Sequence, residues 1–243
     1  MQISPDSTIV FQLALGPLGV VPVSATIVNT WIVMALLVGI GRLATLGIGP
    51  VRPVSRWRIA VELLVEMIRT QIRDIGGGDP TRYLPFIGAL FLFILTSNLL
   101  AVVPGFAAPT GSLSTATALA ICVMVAVPLY AIGQRGLRHY LRSYLQPTPL
   151  MLPINLMGEV SRTVALAVRL YGNIMSGAVL VAILLSIVPF FFPIVMQVLG
   201  LMTGAIQAYI FAVLAMVYIA SAIGEEPGAA RPLPPQPPPE RNS

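Results

Sequence analysis

The stretch from Gly158 to Val179, G-E-V-S-R-T-V-A-L-A-V-R-L-Y-G-N-I-M-S-G-A-V, holds the residues best placed to do chemistry. On a helix, Glu159, Arg162, Arg169, Asn173 and Ser176 share an arc of about 100°, with Leu166 interrupting it. The other faces are almost wholly Val, Leu, Ala, Ile and Met. Arg169 is followed by 55 residues without a charge, 170–224. An Arg at mid-bilayer costs about 2.5–3.5 kcal/mol on insertion scales, so the stripe must face water, polar groups or a partner carboxylate. Arginine keeps its proton at any working pH. Arg169 is therefore a fixed positive charge that can attract a carboxylate and displace a cation from it, but cannot relay protons by titrating. Arg162 is near enough to the helix start to snorkel to the interface, and Glu159 to pair with it at i, i+3.

A second face lies near the C-terminal end. Gly200, Thr203, Gly204, Gln207, Tyr218, Ser221 and Glu225 line up on one side of a helix, with Phe211 and Leu214 between. Small residues allow close helix approach, and Gln207 is the best candidate to meet the Arg169 helix. Asn98, in L-T-S-N-L-L, is a third polar residue in apolar sequence, suited to an interhelical hydrogen bond. His139 sits among Arg135, Arg138 and Arg142 and reads as a solvated loop residue. No metal-ligand spacing occurs, no nucleophile is paired with a base, and the triple glycine 76–78 lacks the Lys-Ser/Thr of a phosphate loop. No cofactor or metal is expected.

The elements that position these residues follow from composition. Of 243 residues, 56% are hydrophobic and 9% charged, with a mean hydropathy of +0.88. Soluble domains run near 25% charged. Residues 7–41, 83–134 and 170–224 carry no charge at all. Each gap has room for one or two spans of about 20 residues. The runs are solidly apolar rather than alternating, so helices and not barrel strands cross the membrane. The expected fold is an all-α integral membrane protein with about five crossing helices. These are 25–46, 83–103, 113–133 and two long tilted helices, 154–188 and 194–224, packed as a hairpin. Residues 56–74 form one further helix. There Arg58, Glu62, Glu66, Arg69 and Arg73 fall within about 80° and the rest is apolar. That pattern fits a cytoplasmic interfacial helix or one docked on a partner. Residues 1–226 form a single membrane domain, and 227–243 a Pro-rich disordered tail.

All fourteen cations are Arg. The net charge of +5 that they leave belongs to membrane-flanking loops, not to a nucleic-acid surface. Seven of them, from Arg42 to Arg82, fall between the first two spans, and three more, Arg135, Arg138 and Arg142, follow the third. By the positive-inside rule the N-terminus lies outside and the C-terminus in the cytoplasm. Cys122, the single cysteine, has no internal disulfide partner.

Four segments resemble subunit a of F-type ATP synthases: V-R-L-Y-G-N-I around Arg169, G-L-M-T-G-A-I-Q-A-Y-I-F-A-V-L-A-M-V-Y-I in the last helix, L-T-S-N-L-L-A-V-V-P-G, and P-I-N-L-M-G-E-V. The resemblance covers about residues 25–226. It implies a non-catalytic stator subunit of a rotary motor in the bacterial inner (plasma) membrane. Two ion half-channels would face a ring of c subunits and couple H⁺, or Na⁺, translocation to rotation. Arg169 would map onto the family's essential arginine, Gln207 onto its last-helix glutamine, Asn173 and Asn98 onto its asparagines, and Glu159 onto a channel-side carboxylate. Arg162, Ser176 and Tyr218 would share the ion path. Implied partners are the c-ring, stator subunit b on helix 56–74, the remaining ATP synthase subunits and the lipid bilayer. One position departs from the family: Ala178 stands where many members carry a carboxylate. A secondary transporter using Arg169 to bind an anionic substrate is the alternative, weakened by the absence of a visible internal repeat.

Overall fold

The computed structural model describes residues 9–14, 20–46, 56–76, 79–103, 106–137, 151–187 and 192–224. The basic loop with Arg138, His139 and Arg142, the 189–193 corner up to residue 191, and the expected tail 227–243 lie outside the described residues.

Six α-helices dominate: α1 (Ala25–Leu46), α2 (Arg56–Gly76), α3 (Pro80–Leu100), α4 (Leu113–Arg135), α5 (Met151–Ile187) and α6 (Phe192–Ile223). All but α2 are long and apolar enough to cross a membrane. At 1.5 Å per residue, α5 and α6 are about 56 and 48 Å long, far more than the ~30 Å hydrocarbon core, so tilting accommodates them. The protein is an all-α integral membrane protein in its spanning part. Two short antiparallel strands precede α1: β1 (Ile9–Ala14) and β2 (Val20–Ser24), with Phe11 opposite Val23. The sequence reading did not anticipate them. Ile9, Val10, Phe11 and the valines at 20, 21 and 23 suit a pleated surface, but each run is far shorter than a span.

The helix start of α3 lies three residues before the expected 83. Asp79 caps it, its carboxylate accepting from the Thr81 N–H at 3.1 Å and the Thr81 hydroxyl at 2.5 Å, and Pro80 occupies the first turn. Proline is preorganised there because its missing N–H would be unpaired anyway. Tyr83 accepts a hydrogen bond from Gln134 and stacks obliquely on Tyr130, tying the start of α3 to the end of α4.

The core lies mainly between α3, α4 and α6. Ile94, Val123, Phe211, Met216 and Ile219 are among its fully covered members. Helix α2 packs on α3 and α6 through Ile68 and Ile72. The Tyr209 hydroxyl of α6 donates to Gln71 of α2 at 2.7 Å. Helices α3 and α6 run antiparallel, since Asn98 meets Gly204 while Val102 meets Gln197. Helix α5 is different: three residues of Pro153–Ser186 are buried, against ten of Ile194–Ile223 in α6.

Candidate functional site

The face of α5 that packs inward carries Leu166, Ala167 and Leu170. Leu166 therefore does not interrupt the polar stripe; it marks where the stripe borders the packed face. Glu159 and Asn173 are half-buried on that border, whereas Arg162, Arg169 and Ser176 are exposed. Among the described residues Arg169 makes no hydrogen bond or ion pair.

Two cavities flank Arg169 along α5. The first, about 270 Å³, is lined by Asn155, Glu159, Arg162, Tyr218, Ser221 and apolar residues of α4. The second, about 640 Å³, is lined by Asn98, Asn173, Ser176, Ala178, Gln197 and Thr203 among others. On α5 the first ends at Leu166 and the second begins at Asn173. Seven helical steps separate them, about 10 Å, and Arg169 lies in that interval. The two spaces thus open on opposite halves of α5 with a fixed positive charge between them.

The donor and acceptor chemistry of the linings is consistent. The Ser176 hydroxyl donates to the Asn173 carbonyl at 3.1 Å, Thr203 to Leu199 at 2.6 Å, and Ser221 to Tyr218 at 2.9 Å. Each hydroxyl proton is spent on its own helix, leaving oxygen lone pairs for the cavity. The larger cavity has no carboxylate in its lining, and Ala178 stands on its wall. Glu159 is the carboxylate of the smaller one. Across it, the Arg162 guanidinium lies over the Tyr218 ring, 5.4 Å from the ring centre.

Gln207 is 94% buried with its Nε2 unpaired among the described residues, and it lines neither cavity. Gly204, one turn earlier, faces α3 through the Asn98 contact, so this part of α6 looks toward α3 as well as α5. The described residues hold no cluster of His, Cys, Asp and Glu able to bind a metal. Cys122 is a free, exposed cysteine.

A family model described as ATP synthase A chain matches residues 27–220. The chain belongs to the ATP synthase A chain family. It is 56% identical over 223 residues to ATP synthase subunit a 2 of Picosynechococcus sp., covering 91% of this chain and 93% of that one. To ATP synthase subunit a 1 of Crocosphaera subtropica it is 54% identical over 223 residues, 92% and 95% of the two chains. To ATP synthase subunit a of Nitrosospira multiformis it is 51% identical over 233 residues, 95% and 91%.

Within this family frame, two cavity residues escaped the reading of the sequence. Asn155 and Gln197 each interrupt an apolar run and carried that signal unaided.

Proposed function

We propose that the chain is the non-catalytic stator of the ATP synthase membrane sector, with α5 set against a rotating ring of small subunits bearing membrane carboxylates. The observation that carries this reading is the exposure of α5. A helix with Arg162 and Arg169 on an open face cannot be left to lipid. A ring that presents one carboxylate after another satisfies Arg169 repeatedly and never permanently.

The cavities then serve as two half-paths for H⁺ or Na⁺. A cation entering the larger one, past Asn173 and Ser176, reaches a ring carboxylate on one side of Arg169. It leaves from the other side through the smaller one, past Glu159, Arg162 and Tyr218. The ring carries it between the two, so ion flow requires rotation. Arg169 blocks the direct 10 Å route by repelling a bare cation. It also draws each arriving carboxylate into an ion pair, expelling its ion. Buried Gln207 acts from the α6 side, and Asn98 borders the larger path. The membrane is the bacterial plasma membrane, with the N-terminus outside, the C-terminal tail cytoplasmic, and stator subunit b on α2.

Purification of the tagged chain in mild detergent tests this arrangement. The expected result is co-purification of a small two-helix subunit whose modification by a carbodiimide at its membrane carboxylate stops ATP-driven pumping. A chain that purifies without such a subunit, or pumps after its modification, contradicts it.

A further inference from the structure

The part of the link between α3 and α4 from Ala108 onward is covered by its neighbours. Ala108, Pro109, Thr110, Gly111 and Ser112 are all buried, Thr110 and Ser112 fully. Residues 109–111 form one 3₁₀ turn. A surface loop between two spans has no need to be covered. This one touches four helices. Asn29 of α1 donates to the Ala107 carbonyl at 2.8 Å. The Thr110 hydroxyl donates to Asn98 Oδ1 of α3 at 3.1 Å. A Cβ on Gly111 would lie 2.9 Å from Ile174 Cγ2 of α5. The turn reaches α6 through Asn98, whose Nδ2 donates to the Gly204 carbonyl at 2.8 Å.

The Asn98 amide is thus a bridge with one end held by Thr110 and the other holding α6. Its orientation is fixed by chemistry: the Gly204 carbonyl can only accept, so the amide nitrogen faces it and the amide oxygen is left to accept from the Thr110 hydroxyl. The approach is close enough that a Cβ on Gly204 would fall 2.9 Å from Asn98 Cβ and 3.0 Å from Cγ and Nδ2. Gly204 is needed because no side chain fits. One turn further along α6 is Gln207, and the same helix carries Tyr218 to Arg162. Gln197 adds a second tie at the outer end of the pair, donating to the Val102 carbonyl at 3.2 Å.

We infer that Thr110, Asn98 and Gly204 form a clamp that sets the position of α6 against α3 and α5, so that Asn98 is a positioning residue rather than a step on the ion's route. The inference deepens the half-path reading and depends on it. Thr110 separates the two roles, because it belongs to the clamp and does not line the larger cavity.

The test uses the assembled complex in membrane vesicles. Thr110→Val, which keeps the shape and removes the donor, should lower ATP-driven pumping about fivefold. Asn98→Asp, which replaces the donor toward Gly204 by an oxygen, should do the same. Thr110→Ser should pump as the parent does. In all three the cation concentration giving half-maximal pumping should stay at the parent's value. Hydrogen exchange at residues 197–207 should quicken in Thr110→Val. Parental pumping and exchange in Thr110→Val overturn the clamp. So does a loss confined to Asn98→Asp with a raised half-maximal concentration; that result makes Asn98 part of the ion path and leaves the half-paths standing.

Discussion

The guanidinium carbon of Arg162 sits 5.4 Å from the centre of the Tyr218 ring, joining α5 to α6 across the smaller cavity. The contact gives Arg162 a partner on the facing helix in addition to any it finds on its own. A guanidinium over an aromatic face at an accessible site is worth about 0.5–1 kcal/mol. A double-mutant cycle with Arg162→Gln and Tyr218→Leu, read by thermal inactivation of the complex, should give a coupling of that size. Tyr218→Phe should retain it. Strict additivity of the two single changes contradicts the contact.

Ala178 predicts how the larger cavity handles pH. Its wall offers neutral oxygens and no titrating group. Ala178→Glu adds a carboxylate on an exposed, cavity-lining position, so assembly should be unaffected. Pumping in the variant should gain an acid limb, falling as the outside pH drops through roughly 4–7, the range of a partly desolvated Glu. Identical pH profiles for parent and variant argue that ions do not pass this wall.

The seating of α2 depends on the hydrogen bond from Tyr209 to Gln71 as well as on Ile68 and Ile72. Tyr209→Phe should cost about 0.5–1.5 kcal/mol. Faster proteolysis or hydrogen exchange within 56–76, with α3 unchanged, is the expected readout. Uniform protection across both helices contradicts it.

Asp79 gives α3 a pH-dependent cap. Hydrogen bonds from the Thr81 side chain, then from its backbone, hold the Asp79 carboxyl below its ordinary value. A depressed carboxylate contributes stability above its unfolded-state pKa and loses it as pH falls through the folded-state value. Protection of the first turn of α3 should therefore drop on acidification in the parent. In Asp79→Asn, which keeps an acceptor without a charge, that drop should be absent.

Much of this was legible in the sequence, for a physical reason. Charges are so costly in hydrocarbon that their gaps outline the spans, and α2 announced itself by confining its charges to one arc. The five crossing helices and α2 follow from that alone. Other features depend on which neighbour each face meets, and periodicity does not record neighbours. Leu166 looked like a flaw in a polar stripe because the packed face beside it was unknown. Nor does periodicity show that Gln207 is buried, or that Gly204 admits Asn98 of α3. The 106–112 link carried a weak signal: a connection with no charge and two hydroxyls, Thr110 and Ser112, between helices. Its burial became visible only with four helices around it.

We propose that Arg169, isolated between two cavities on an exposed helix, couples ion flow to the ring. Arg169→Ala in the complete complex is the decisive variant. Among the described residues Arg169 makes no hydrogen bond or ion pair that the change would remove, so the complex should assemble in parental amounts. ATP-driven pumping should be abolished. Assembled complex that still pumps ions at a rate tied to ATP hydrolysis would contradict the account.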